Sequence, residues 1–131
     1  MQLFHPKTQL PGTTLYTDLD VVITGNIDCF FTYKPELDFI GMNDFNPTTK
    51  QWNSSIMRFQ SDFLHDKLWM RFIENRPNNL RRFAGDQNLI SDFIKNTPGC
   101  ESYPDSWTQS YKWYDRKGNR YAKSDMTYEH N

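Results

Sequence analysis

The sequence predicts a single α/β domain, and three observations predict it. Short β-branched or apolar runs near residues 14–23, 39–42 and 55–59 are bounded by turn-rich stretches, as strands are. Two later segments, 62–75 and 86–95, carry apolar residues at helical spacing. A length of 131 residues suffices for one core and leaves little room for a second. The expected fold is a mixed sheet flanked by helices, in the order β, β, β, α, α. Residues 1–114 are expected to form the folded part, and 115–131 a polar, loosely held tail with little to bury.

Residues 1–13 contain Pro6, Pro11 and Gly12 and read as an irregular lead-in. In the first strand, Leu15 and Tyr16 precede a pair of carboxylates, Asp18 and Asp20. Val21, Val22 and Ile23 follow the pair, and Gly25-Asn26 closes the run. Residues two apart in an extended chain share a face, so both carboxylates are expected to converge on one spot while Leu19 faces away. The alternative is a solvated turn after a short strand, where Asp is common.

Phe39-Ile40-Gly41-Met42 reads as a second strand, residues 43–50 with Pro47 as a loop, and Ser55-Ile56-Met57-Arg58-Phe59 as a third strand. The first helix follows from Leu64, Leu68, Trp69, Phe72 and Ile73, with Ser61 as its N-cap and Pro77 just past its end. In the second, Leu89, Ile90, Phe93 and Ile94 form one apolar face, and Thr97-Pro98-Gly99 terminates it. Residues 102–114 are rich in Trp and Tyr without periodicity.

Aromatic residues make up 16% of the chain, the formal net charge is −1 and the isoelectric point is about 6.3, so no basic field favours a nucleic-acid partner. No run reaches the roughly 18 apolar residues of a membrane span, and no secretory signal opens the chain, so a soluble cytoplasmic protein is expected. Cys29 and Cys100 form neither a disulfide framework nor a metal-ligand spacing and are expected to be buried free thiols. Asn53-Ser54-Ser55 fits a glycosylation sequon, which without export is a chance match.

Oxygen-only donors such as Asp18 and Asp20 suit a hard divalent cation, Mn²⁺ or Mg²⁺, which typically binds one or two carboxylates together with substrate phosphates. Two further signatures follow in order: Trp52-Asn53-Ser54-Ser55-Ile56-Met57 before a strand, and Gly85-Asp86-Gln87-Asn88 opening a helix. The ordered trio resembles the GT-A fold nucleotide-sugar glycosyltransferases, particularly the retaining group of glycogenin and the lipopolysaccharide galactosyltransferases. The resemblance spans residues 14 to about 96.

The resemblance implies a metal-dependent hexosyltransferase acting between a nucleotide-sugar donor and a carbohydrate or other acceptor. It assigns Asp18 and Asp20 to the metal on the donor diphosphate, where a Lewis acid stabilises the leaving group. Asn53 and Ser54 would lie against the donor sugar, and Asp86 and Gln87 would position the reacting groups. Ser55 stands where the family has Gly, a departure because Ser does not take positive φ cheaply. The residues also admit plain structural readings: a polar strand-entry turn at Asn53-Ser54, and a helix start at Asp86 favoured by the helix dipole.

Arg81 and Arg82 could meet a diphosphate or be an exposed basic pair. Tyr103, Trp107, Tyr111 and Trp113 could wall a sugar site or simply pack. Lys112 could reach a phosphate. The family's N-terminal nucleotide-binding β/α segment and its C-terminal His ligand have no counterpart here, since His5, His65 and His130 lack that context. The expectation is therefore a partial GT-A-like domain with its N-terminal nucleotide-binding part missing.

Two other classes remain open. Asp18-Leu19-Asp20-Val21-Val22 also fits the opening motif of haloacid-dehalogenase-like phosphatases, with Asp18 as nucleophile and Asp20 as acid/base. That family, however, needs a strand before its last acidic motif, and none is expected before Gly85. The third class is a non-catalytic domain derived from a glycosyltransferase.

Overall fold

A computed structural model describes residues 2–8, 10–46, 49 and 51–110. Four strands form one mixed sheet in the order β1-β3-β2-β4: β1 (Thr13–Thr17), β2 (Phe39–Asn43), β3 (Trp52–Gln60) and β4 (Cys100–Ser102). The central strand β3 pairs antiparallel with both neighbours, with Thr17 opposite Ile56 on one side and Phe39 opposite Phe59 on the other. β4 runs parallel to β2. The sequence thus folds as the mixed α/β domain it predicts.

Side-chain alternation along β3 divides the core in two. Met57 and Phe59 point to one face, where with Phe39 they meet Phe63, Leu68, Ile90, Phe93 and Ile94 from the helices. The helix α5 (Asp86–Lys95) supplies the last three and is amphipathic as expected. The lead-in contributes too: residues Gln2–Phe4 and Pro6–Thr8 are 3₁₀ turns, and Phe4 is buried with its ring edge-on to Phe59.

Arg58 points to the opposite face and is buried, at 1% exposure. Its guanidinium donates to the carbonyls of Phe30 (3.2 Å), Phe31 (3.0 Å), Tyr33 (2.5 Å) and Lys34 (2.7 Å), at the end of the short helix α1 (Asp28–Thr32). These oxygens include some that a helix end leaves without an internal partner, and their partial negative charge suits a cation. Tyr103 fastens the same turn by donating its hydroxyl to Phe30 O at 2.6 Å, inside a cluster with Phe30, Tyr33 and Trp107.

Between β3 and α5 the chain is helical almost throughout. Ser61–Phe63 (α2) runs into a π-helical stretch, Leu64–Trp69, then Met70–Glu74 (α3), and Arg76–Arg82 forms α4. Ser61 is not a cap: its hydroxyl donates to Gly12 O at 2.9 Å. Pro77 does not lie beyond the helices but opens α4, where its missing N–H costs nothing. Among the described residues no helix is long and apolar enough to cross a membrane. Both cysteines are free and half-buried.

The first strand differs from its expected course. It ends at Thr17, and Asp18-Leu19-Asp20 turns away, closed by Val21 N–H donating to Asp18 O at 3.2 Å. Val21–Thr24 is irregular, and Leu19 and Val22 are exposed at 107% and 81%. The two carboxylates therefore do not share the face of a buried strand. Asp at the start of a turn is favoured by local hydrogen bonding, and beyond Asp18 the apolar run pairs with no strand among the described residues. The expectations for Tyr111, Lys112, Trp113, His130 and the tail 115–131 fall outside the described residues.

Candidate functional site

The strands β1 and β3 are antiparallel, and so are β2 and β3. The end of β1, the end of β2 and the start of β3 therefore lie at one end of the sheet. There, β3 parts from β2: Gly41 pairs with Met57, but the next residue, Met42, pairs with Asn53, so Ser54, Ser55 and Ile56 bulge out of that ladder. Bulges of this kind re-aim side chains and free backbone groups. Gly41 is required at the corner, because a Cβ there would meet the Trp52 ring at 2.8 Å.

The freed groups find specific partners. Ser55 O accepts from Asp18 N–H at 2.9 Å, tying the acidic turn to the bulge. Ser55 N–H donates to the Asn53 side-chain carbonyl at 2.9 Å. Ser54 N–H donates to Gln87 Oε1 at 3.3 Å, with the Ser54 hydroxyl 3.5 Å from the same oxygen. The first turn of α5 is drawn to the bulge in this way, and Ser91 Oγ secures it further by accepting from Trp52 N–H at 3.0 Å.

Three segments separated in sequence thus meet at one place: Asp18 after β1, Asn53-Ser54 in the bulge of β3, and Asp86-Gln87 at the start of α5. Asp86 is the first helical residue and Gly85 the N-cap, so the carboxylate lies in the first turn, where the helix dipole favours it. Asp18 is half-buried and Asp20 exposed, with Leu19 between them in the turn.

Tyr16 is the participant that the sequence did not single out. Its hydroxyl donates to Asp18 Oδ1 at 2.7 Å. That bond, followed by burial and by the charges of Asp18 and Asp86, holds the Tyr16 phenol above its usual range. The signal was available in the strand period, since Tyr16 and Asp18 are two residues apart.

Other residues take plainer roles. Tyr103 is 2% exposed and packs in the core with Trp107 stacked on it at 5.7 Å, so these rings form packing rather than an open wall. Arg81 and Arg82 are exposed in the last turn of α4, and Arg82 reaches Asp92 at 3.3 Å. The element before Gly85 is helical, where the phosphatase reading needs a strand.

Asp18 and Asp20 offer only carboxylate oxygens, and Asp18 keeps an oxygen beyond the one that Tyr16 holds. This donor chemistry fits a hard divalent cation that takes its remaining ligands from water and phosphate. Among the described residues no group of three or more His, Cys, Asp or Glu side chains gathers to hold a metal. No family model matches the chain, and neither a curated protein nor a solved structure matches it.

Proposed function

We propose that this chain carries the metal-binding and sugar-positioning part of a GT-A-like glycosyltransferase, moving a hexosyl group from a nucleotide-sugar donor to a carbohydrate or other acceptor. One observation carries the reading. The three signatures that resemble that family are joined by hydrogen bonds at one end of the sheet: Asp18 to Ser55 and Ser54 to Gln87. The first of these bonds continues the ladder that sets Thr17 opposite Ile56, and the second adds the start of α5 through a side chain.

In this reading Asp18 and Asp20 hold Mn²⁺ or Mg²⁺, which when bound supplies Lewis-acid stabilisation to the departing diphosphate. Tyr16 fixes the Asp18 carboxylate and keeps one of its oxygens engaged. Asn53 and Ser54 present a small polar surface to the donor sugar. Gln87 orients that surface through Ser54, and Asp86 places a carboxylate beside the reacting centre, where developing positive charge on a sugar is stabilised. Holding the partners in register converts a bimolecular encounter into an effectively intramolecular one.

The test is to incubate the purified chain with Mn²⁺ and a panel of uridine and guanosine diphosphate sugars, following melting temperature and release of nucleoside diphosphate. The reading expects one nucleotide sugar to raise the melting temperature only when metal is present, and a chelator to abolish both the shift and the turnover. Release of phosphate from a generic phosphomonoester, with no response to any nucleotide sugar, would contradict it.

A further inference from the structure

Beside the candidate site an open surface groove of about 320 Å³ runs along α5. Gln51 and Asn88 line its near end, and these are chain neighbours of the site: Asn88 follows Gln87, and Gln51 precedes the bulge. Arg82 and Phe83 form the outer wall, and Asp92 and Lys95 continue along the helix.

The polar side chains of this groove other than Lys95 are paired, and Lys95 stands exposed beside them. Asp92 accepts from Arg71 at 2.7 Å through one oxygen and from Arg82 at 3.3 Å through the other. The lone carboxylate is therefore answered by two guanidinium groups, with Lys95 three residues further along the same helix. Arg82 also lies over the Phe83 ring at 5.0 Å, and its side chain keeps 60% of its exposure. Asn88 donates to Gln51 Oε1 at 3.4 Å, which holds the two amides together.

A pre-positioned guanidinium with donors to spare, a second cation and a pair of amides make a recognition set for an anionic group joined to hydroxyls. Phe83 gives the apolar surface against which the C–H face of a sugar ring packs. We propose that this groove is the acceptor subsite and that the acceptor is an anionic saccharide, a sugar bearing a carboxylate or a phosphate. The proposal rests on the glycosyltransfer reading for the word acceptor. The groove's preference for an anionic sugar stands on its own lining.

Heteronuclear NMR titration of the full chain tests it, with D-glucuronic acid, glucose 6-phosphate, glucose and inorganic phosphate as separate probes. Glucuronic acid or glucose 6-phosphate is expected to shift Asn88, Asp92 and Lys95 saturably, and the tighter of the two identifies the anion. Arg82→Ala and Lys95→Ala, one at a paired and one at an exposed position, are each expected to weaken that binding about tenfold, as loss of a charged hydrogen bond does. The proposal is overturned if neither anionic sugar shifts the groove, if glucose or inorganic phosphate alone does so equally well, or if neither variant weakens binding. Mn²⁺ with a nucleotide sugar, followed through Tyr16 and Asp20 in the same samples, reports the donor reading separately. Silence there with groove binding retained would sink the transferase reading and leave the anionic-sugar site standing.

Discussion

The side-chain carbonyl of Gln87 accepts the backbone N–H of Ser54 at 3.3 Å, joining the first turn of α5 to a bulge in the central strand. A strand amide normally bonds within its ladder, and here the bulge releases it to a side chain. The bond places Asp86, next to Gln87, at the sheet end that also carries Asp18.

Replacing Gln87 by Ala leaves that half-buried amide without its partner. Gln87→Ala is expected to lower unfolding free energy by about 0.5–1.5 kcal/mol, the net worth of an ordinary hydrogen bond at a half-buried amide, as read by urea denaturation. In the proposed function it also lowers transfer, because Ser54 loses its orientation. A variant as stable as the parent would show that the contact does not hold the bulge.

Tyr16 bears on metal affinity through Asp18. Removing a group that orients a metal ligand typically costs about 10–100-fold in affinity, so Tyr16→Phe is expected to weaken Mn²⁺ binding within that range while leaving the fold intact. Calorimetric titration of Mn²⁺ checks it, and an unchanged dissociation constant would remove Tyr16 from the site.

Arg58 is the strongest single fastening of α1. Arg58→Met keeps much of the volume but removes four hydrogen bonds. Phe30 O keeps the Tyr103 hydroxyl and Lys34 O keeps the Leu37 N–H, while Phe31 O and Tyr33 O lose the guanidinium. The change is expected to cost about 3 kcal/mol, since each unmet buried acceptor carries a penalty of about 1–3 kcal/mol. The same urea titration measures it. A loss below about 1 kcal/mol, as at an ordinary surface site, would show that Arg58 does not fasten the end of α1.

Alkaline pH should destabilise the fold through two buried acids. Burial pushes the Cys100 thiol from 9.0 up to about 11 and the Tyr103 phenol from 10.0 up to about 12. Both groups are neutral when protonated, so above pH 9 the unfolded chain gives up protons before the folded one does. Their contribution is whole below pH 9 and is lost as pH rises, for Cys100 between about 9 and 11 and for Tyr103 between about 10 and 12. Cys100→Ala should flatten the decline between pH 9 and 11, measured by denaturation at a series of pH values. An unchanged slope would place the loss elsewhere.

The parts of this fold that are legible in the sequence are those whose own pattern decides them. The helix at Asp86–Lys95 has four apolar residues on one face and a Thr-Pro-Gly stop, and the structure gives it the expected bounds. Phe39–Met42 is similarly self-evident, extended by one residue to Asn43. Where tertiary partners decide, the pattern misleads or is silent. Val21-Val22-Ile23 has the composition of a strand but pairs with no strand among the described residues. The helix at Asp28–Thr32 is too short to show a period and is held by Arg58 from the central strand. Cys100–Ser102 becomes a strand only because β2 lies beside it. Pro77 carries a helix-boundary signal that reads equally as a stop or a start.

The candidate site divides the same way. Asp18, Asn53, Ser54, Asp86 and Gln87 stood out as motif residues, and the structure brings their segments together. The groove residues Arg82, Asp92 and Lys95 carry no motif, because their relationship arises from an ion pair between α4 and α5.

The central claim is that the acidic turn after β1 binds a divalent cation for the sake of a nucleotide sugar. Calorimetric titration of Mn²⁺ in the presence of the nucleotide-sugar panel, on the parent and on the Asp18→Asn/Asp20→Asn double variant, tests it most directly. The account predicts saturable uptake by the parent that is strengthened by one of the sugars and lost in a double variant that still folds. Uptake that is absent from the parent, or unchanged in the double variant, would contradict it.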